Sequence, residues 1–276
     1  MLDSFVYENH FGQRFNSLEN GVYLNHSDLR DYCWSYEAIN NRISRIFREV
    51  TERTLPLVIV GKNGDEATEV KNRLFEVAEV DVAAMIPGKI FIGDYYTSGY
   101  ITGSAKSSYL INRRFCKNDL TFTSDDPSWY REKTYSMFPG KLDSGLSGIG
   151  TDYPFDYAYD YLVSQSNRTI VCDSVRPNAF RMRIYGEITN PVVIIGGHEY
   201  AITGSIKSGE SLLIDSISKK ITLTTADTKK VNWFNNRSRD SYIFEPIPAG
   251  INTVTWDGSF GFDLTVIEKR SEPRWI

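Results

Sequence analysis

The stretch Phe260-Gly261-Phe262-Asp263-Leu264-Thr265-Val266 puts a large apolar residue at every second position. Successive side chains of a strand point to opposite faces, so this spacing describes a strand with one dry face and one wet face. A helix would spread the same residues around its circumference. The pattern recurs upstream. Phe180, Met182 and Ile184 alternate with Arg181, Arg183 and Tyr185, and the apolar run Val192 to Ile195 follows the turn signal Asn190-Pro191. Gly196-Gly197, Ser208-Gly209 and Ser218-Lys219 separate the short pieces His198-Glu199-Tyr200, Leu212-Leu213-Ile214 and Ile221-Thr222-Leu223. Short strands punctuated roughly every 8–12 residues predict a β-sandwich for the second half.

The first half also reads as strands, with one helix among them. Asn20-Gly21, between Leu18 and Val22-Tyr23-Leu24, is a hairpin signal. Leu55 to Val60, closed by Gly61, reads as a buried strand. Asn63 can cap a helix, with Glu66 three residues on as a capping box requires. Val70, Leu74, Val77 and Ala78 then share one face, and Glu69, Lys71, Arg73, Glu76 and Glu79 cover the rest. The spacing predicts a helix from about Gly64 to Val80. Ile90-Phe91-Ile92, Tyr95-Tyr96, Tyr100-Ile101 and Leu120-Thr121-Phe122-Thr123 resume the strands. Pro139-Gly140 and Ser144-Gly145-Leu146-Ser147-Gly148-Ile149-Gly150 are small and flexible, so a joint is expected at about 139–152. It divides the chain into domains 1–140 and 141–276.

Composition narrows the function. With 41% hydrophobic and 24% charged residues in 276, disorder over most of the chain is excluded. The 17 Tyr, 15 Phe and 5 Trp suit pleated sheets and protein interfaces alike. A net charge of -4 offers no basic face for nucleic-acid sequence recognition. Arg113-Arg114 and Lys229-Lys230 read as solvated surface. No segment is apolar enough to insert in a membrane, and Met1 to Phe5 does not begin a signal peptide. Cys33, Cys116 and Cys172 are isolated, which argues against a structural zinc site and fits folding in a reducing cytoplasm.

Nothing in the sequence assembles a catalytic, cofactor or metal site. His10, His26 and His198 have no metal-ligand spacing, and His198 beside Gly196-Gly197 reads as a polar residue at a strand start. Ser147 sits in a superficial GxSxG-like run without the strand and helix a nucleophile elbow needs. Phosphate-binding glycine loops are missing. Asp125-Asp126 and the series Asp152, Asp156, Asp160 are the residual candidates, as acid-base pairs for glycoside cleavage or as calcium ligands. Trp233, Tyr242 and Trp256 are candidate sugar-stacking residues, or core. A carbohydrate-binding β-sandwich and a glycoside hydrolase are therefore the alternatives to an assembly protein.

One resemblance goes further. Leu120-Thr-Phe-Thr-Ser-Asp-Asp-Pro-Ser-Trp-Tyr130 with Tyr135-Ser-Met-Phe138, and then Tyr153-Pro-Phe-Asp-Tyr-Ala-Tyr-Asp-Tyr161, resemble the domain junction of siphophage distal tail proteins. Tyr185 to Pro191, Gly209 to Asp215, Ala249 to Trp256 and Pro273-Arg-Trp275 complete the likeness in order. The resemblance implies an N-terminal split β-barrel with one α-helix, like tail-tube proteins, and a C-terminal galectin-like or carbohydrate-module-like β-sandwich. It implies a homo-hexameric ring joining the tail tube protein to the tail-associated (tail-tip) protein, with receptor-binding proteins outside. No enzyme activity and no cofactor are implied. The place of such a protein is the virion tail tip, after assembly in the host cytoplasm.

Overall fold

The computed structural model describes residues 5–17, 19, 21–109, 112–139 and 168–275. Strands take 52% of it and helix 10%, about twice the strand share usual in globular domains. The fold is mainly β. The chain packs as two units, Met1–Arg131 with Lys269–Ile276, and Glu132–Glu268. From Gly140 onward the expected joint lies outside the described residues, as does the Tyr153–Tyr161 segment.

The first unit contains β1 (Val6–Glu8), β2 (Arg14–Asn16), β3 (Val22–Leu24), β4 (Ser35–Ile39), β5 (Arg42–Phe47) and β6 (Thr51–Val60). Helix α1 (Gly64–Ala84), β7 (Gly88–Ile92), β8 (Tyr95–Ser107) and β9 (Phe115–Ser124) follow, and β10 (Trp129–Met137) begins there. Seven of these strands form one antiparallel run, in the order β2-β1-β7-β8-β9-β6-β3. Their inward residues, among them Phe15, Tyr7, Ile90, Phe122, Leu57 and Val22, join Val70, Leu74, Val77 and Ala78 of α1 in a single core. α1 packs on β2, β8 and β6 alike and covers the core of this sheet, as the single helix of an open barrel does.

Three local expectations change. The strands flanking Gly21 do not pair with each other, because β3 pairs with β6; Leu18 and Asn20 lie outside the described residues. Gly21 redirects the chain: its φ is +73°, and a Cβ there would lie 1.9 Å from the Val60 carbonyl oxygen. The run Leu55–Val60 belongs to a longer strand that is buried on one face only, through Leu55, Leu57 and Ile59. The helix starts as expected, with Asn63 Oδ1 accepting the Glu66 N–H at 2.8 Å, but Glu66 answers by accepting the Lys62 N–H at 2.6 Å. It also runs past Val80, because fully buried Asp81 is used inside the fold. Asp81 accepts from the Tyr7 hydroxyl at 2.5 Å and the His10 N–H at 2.9 Å, and His10 Nδ1 lies at 2.6 Å. Gly88 passes so close that a Cβ would sit 2.3 Å from Asp81 Oδ2. This clasp ties β1 to the end of α1.

The second unit contains β11 (Arg168–Cys172), β12 (Ala179–Tyr185), β13 (Ile188–Thr189), β14 (Val192–Ile195), β15 (His198–Ala201) and β16 (Ser205–Ile206). Then come β17 (Ser211–Asp215), β18 (Lys220–Thr224), β19 (Lys230–Asn232), β20 (Gly250–Trp256) and β21 (Gly261–Arg270). One sheet runs β19-β18-β17-β12-β21 and the other β11-β20-β14-β15. The alternating residues Phe180, Met182, Ile184, Phe262, Leu264 and Val266 face Ile170, Val193, Ile195, Tyr200, Val254 and Trp256 in one core. That is a β-sandwich. Its exposed edge at β11 is blunted by Tyr135, whose hydroxyl donates to the Val171 carbonyl at 2.7 Å and accepts the Val171 N–H at 3.2 Å. One side chain thereby occupies a strand-edge pair that another chain could use.

Candidate interaction surfaces

The residues with chemical potential are used as structural fittings. His10 belongs to the Asp81 clasp, where burial and then the Asp81 hydrogen bond hold the Tyr7 phenol well above its ordinary pKa. His198 Nε2 lies 2.9 Å from the Tyr242 carbonyl and 3.2 Å from Ser241 Oγ, so it ties a loop to β15. His26 is on the surface beside Asn25. Cys33 is exposed, and Cys116 and Cys172 are buried. No group of three His, Cys, Asp or Glu among the described residues could hold a metal ion. Ser147, Asp152, Asp156 and Asp160 lie outside the described residues.

Asp126 shows why an acidic pair does not make an acid-base pair. Partial burial opposes its charge, but Lys269 Nζ at 2.8 Å, Ser128 and the Tyr130 hydroxyl outweigh that and hold its pKa down to about 2. A carboxylate ionised at every working pH cannot supply the proton that a leaving group needs. Asp125 accepts the Asp126 N–H in a local turn. Because the folded pKa lies below the ordinary value of about 3.9, Asp126 adds stability that is complete above about pH 5 and disappears as pH falls through 2. The pair is half-exposed, so its worth is about 1 kcal/mol or less. Asp126→Asn is expected to lower the melting temperature slightly at pH 7 and to match the parent at pH 2. An equal deficit at both pH values would refute the assignment.

The proposed sugar-stacking set does not form one platform. Trp256 is in the core, donating from Nε1 to the Phe260 carbonyl at 3.1 Å. Trp233 is partly buried against the same core. Tyr242 alone is exposed, edge-on to Phe244. A carbohydrate-binding reading thus loses two of its three residues.

What stands out instead is a hairpin that no other strand or helix covers among the described residues. β4 and β5 pair with each other, from Ser35 opposite Phe47 to Ile39 opposite Arg42, with a bulge after Glu37. The turn uses Asn40 and Asn41 at φ 49° and 61°, the left-handed pair that a two-residue hairpin turn demands and asparagine tolerates. Tyr36, Ile39, Ile43 and Ile46 are 65%, 64%, 62% and 59% exposed. Paired residues share a face, so Tyr36, Ala38, Ile43 and Ile46 lie together on one apolar face, and Glu37, Ile39, Arg42 and Arg45 lie on the other.

The base of this hairpin is firmly held. Arg48 lies 4.5 Å over the Trp34 ring and donates to the Pro127 carbonyl and Ser128 Oγ, both at 3.2 Å. Beneath it a cleft of about 200 Å³ is lined by Asp28, Asp31, Tyr32, Arg48 and Arg53. Arg53 is buried and donates to the Pro127 carbonyl at 3.0 Å. Burial lowers its pKa, with Asp28 opposing. The sequence reading missed this hairpin. The bulge after Glu37 breaks the alternation of its apolar residues, and Asn40-Asn41 was the one available signal.

Comparison with known proteins supplies the context. No family model matches the chain. No curated protein matches its sequence. Solved structures do match. One is the SPP1 Dit protein, described as a paradigm of the hub adsorption apparatus in phages infecting Gram-positive hosts, with a TM-score of 0.60 at 11% identity. Two come from the phage P2 baseplate in its activated conformation, with Ca and with Sr, at TM-scores of 0.57 and identities of 15% and 14%. Each covers 98% of this chain and 99% of the other. Over nearly its whole length, the chain shares the fold of the SPP1 hub protein and of a phage P2 baseplate chain.

Proposed function

We propose that the chain is a structural hub of a long-tailed phage (or prophage) tail tip, working by binding proteins and not by catalysis. The observation that carries this is the span of the fold likeness, 98% of this chain and 99% of the SPP1 hub chain. A β-sandwich alone would match many unrelated binding modules. A barrel with one helix followed by a sandwich, in one continuous alignment, is a far narrower match.

In this reading the first unit closes a homo-hexameric ring, and the second presents a peripheral attachment surface. The ring joins the tail tube protein to the tail-associated protein and carries receptor-binding proteins outside. The chain then belongs to the virion tail, assembled in the host cytoplasm, where three free thiols are at home. No helix among the described residues is long and apolar enough to cross a membrane. A ring is a head-to-tail assembly, so each subunit needs two different, mutually fitting surfaces. The uncovered β4–β5 hairpin supports such an assembly, since an isolated two-stranded hairpin is marginal in water and gains stability when covered. Light scattering on the purified chain is expected to give six times the 31.5 kDa chain mass, and negative-stain images a six-fold ring with a central hole. A monomer at every concentration would overturn the ring.

A further inference from the structure

We infer that the β4–β5 hairpin of one copy docks on the next copy in the groove between α1 and the open edge of β8, adding strands to that edge. This deepens the ring reading and rests on it. The receiving surface is read from the sheet pairing. β7 accompanies β8 only from Tyr95 to Gly99. β9 accompanies it on the other side as far as Ser107. From Ile101 to Ser107 one edge of β8 therefore has no strand beside it among the described residues. Unpaired N–H and C=O groups in a row are a template for a strand from another chain.

That edge borders an apolar groove. Leu74, Phe75 and Ala78 of α1 form one wall, and Ile101 and Leu120 form the other, around about 190 Å³. Phe75 is 60% exposed, whereas Val70, Leu74 and Val77 of the same helix are buried. Phe75 in the groove and Tyr36, Ile39, Ile43 and Ile46 on the hairpin are exposed apolar side chains. Its strands span five and six residues, a length that the edge from Ile101 to Ser107 can accommodate. The charged side chains that line the groove are Lys71, Lys106 and Glu79, so the match is one of apolar surface and strand length and not of charge. Hairpin and groove are different surfaces of one chain, as a closed head-to-tail ring requires.

Cross-linking between two variants of the full chain tests this. Both carry Cys33→Ser, leaving only the buried Cys116 and Cys172. One adds Ile43→Cys and the other Ser104→Cys. When they are mixed and treated with a short bismaleimide, a covalent dimer is expected. Pairing Ile43→Cys with Val175→Cys, at an exposed position of the second unit, is expected to give at least tenfold less. A ring-sized mass with no Ile43–Ser104 dimer, or with equal yield at Val175, overturns the docking site and leaves the ring standing. A parent chain that stays monomeric and forms no dimer overturns both.

Discussion

Leu74→Asp is expected to unfold the first unit, while Phe75→Asp, one residue along, leaves it folded. Leu74 is 4% exposed and packs in the barrel core, whereas Phe75 is 60% exposed. Losing a buried leucine side chain costs about 2–5 kcal/mol even when alanine replaces it. A carboxylate adds the cost of burying a polar group without a partner, another few kcal/mol at least. The sum reaches the total stability of an ordinary domain, about 5–15 kcal/mol. At roughly 3 °C per kcal/mol, the first unit should lose at least about 10 °C in melting temperature or be unfolded at 25 °C. The second unit has its own core, to which Leu74 contributes nothing, so its transition should remain. Calorimetry reads both. An unchanged profile for Leu74→Asp, or equal damage from the two variants, would refute the assigned helix face.

That the same two residues could be told apart from spacing alone shows what was legible. Val70, Leu74, Val77 and Ala78 all turn inward, because a helix must bury one stripe and the stripe must repeat at its period. Phe260, Phe262, Leu264 and Val266 turn inward for the same reason at period two. Such signals survive in the sequence because the partner of each residue is the chain's own core. Asn63 was legible because orphan N–H groups at a helix start demand a short acceptor.

Where the partner is not the core, spacing fails. Asp81 falls just past the end that the spacing gives the helix. Its burial depends on Tyr7 and His10, far away in sequence. Gly21 reads as a hairpin glycine because a turn looks the same whether the chain returns to its last strand or joins another. Lys269 and Asp126 are brought together across 143 positions of the chain. The hairpin is the sharpest case. Tyr36, Ala38, Ile43 and Ile46 share one face only because a bulge after Glu37 shifts the register, so their spacing in the sequence shows no strand period.

The second large effect concerns that segment. The double variant Ile43→Asp, Ile46→Asp is expected to convert the assembled chain to monomers without lowering its melting temperature as a monomer. Both residues are about 60% exposed, so their own subunit loses little packing. In an assembly that covers the hairpin, each isoleucine would contribute about 1.5–3 kcal/mol by leaving water. An aspartate in its place would also have to shed its hydration against an apolar groove. Two such changes remove at least about 5 kcal/mol per contact, more than a thousandfold in the association constant. A closed ring depends on every contact, so the loss compounds around it. Sedimentation of parent and variant at equal concentration separates the outcomes. Full retention of the assembled mass by the double variant would show that the hairpin is not the surface that joins the copies. A large fall in the melting temperature of the monomeric variant would show that the hairpin packs on its own subunit after all.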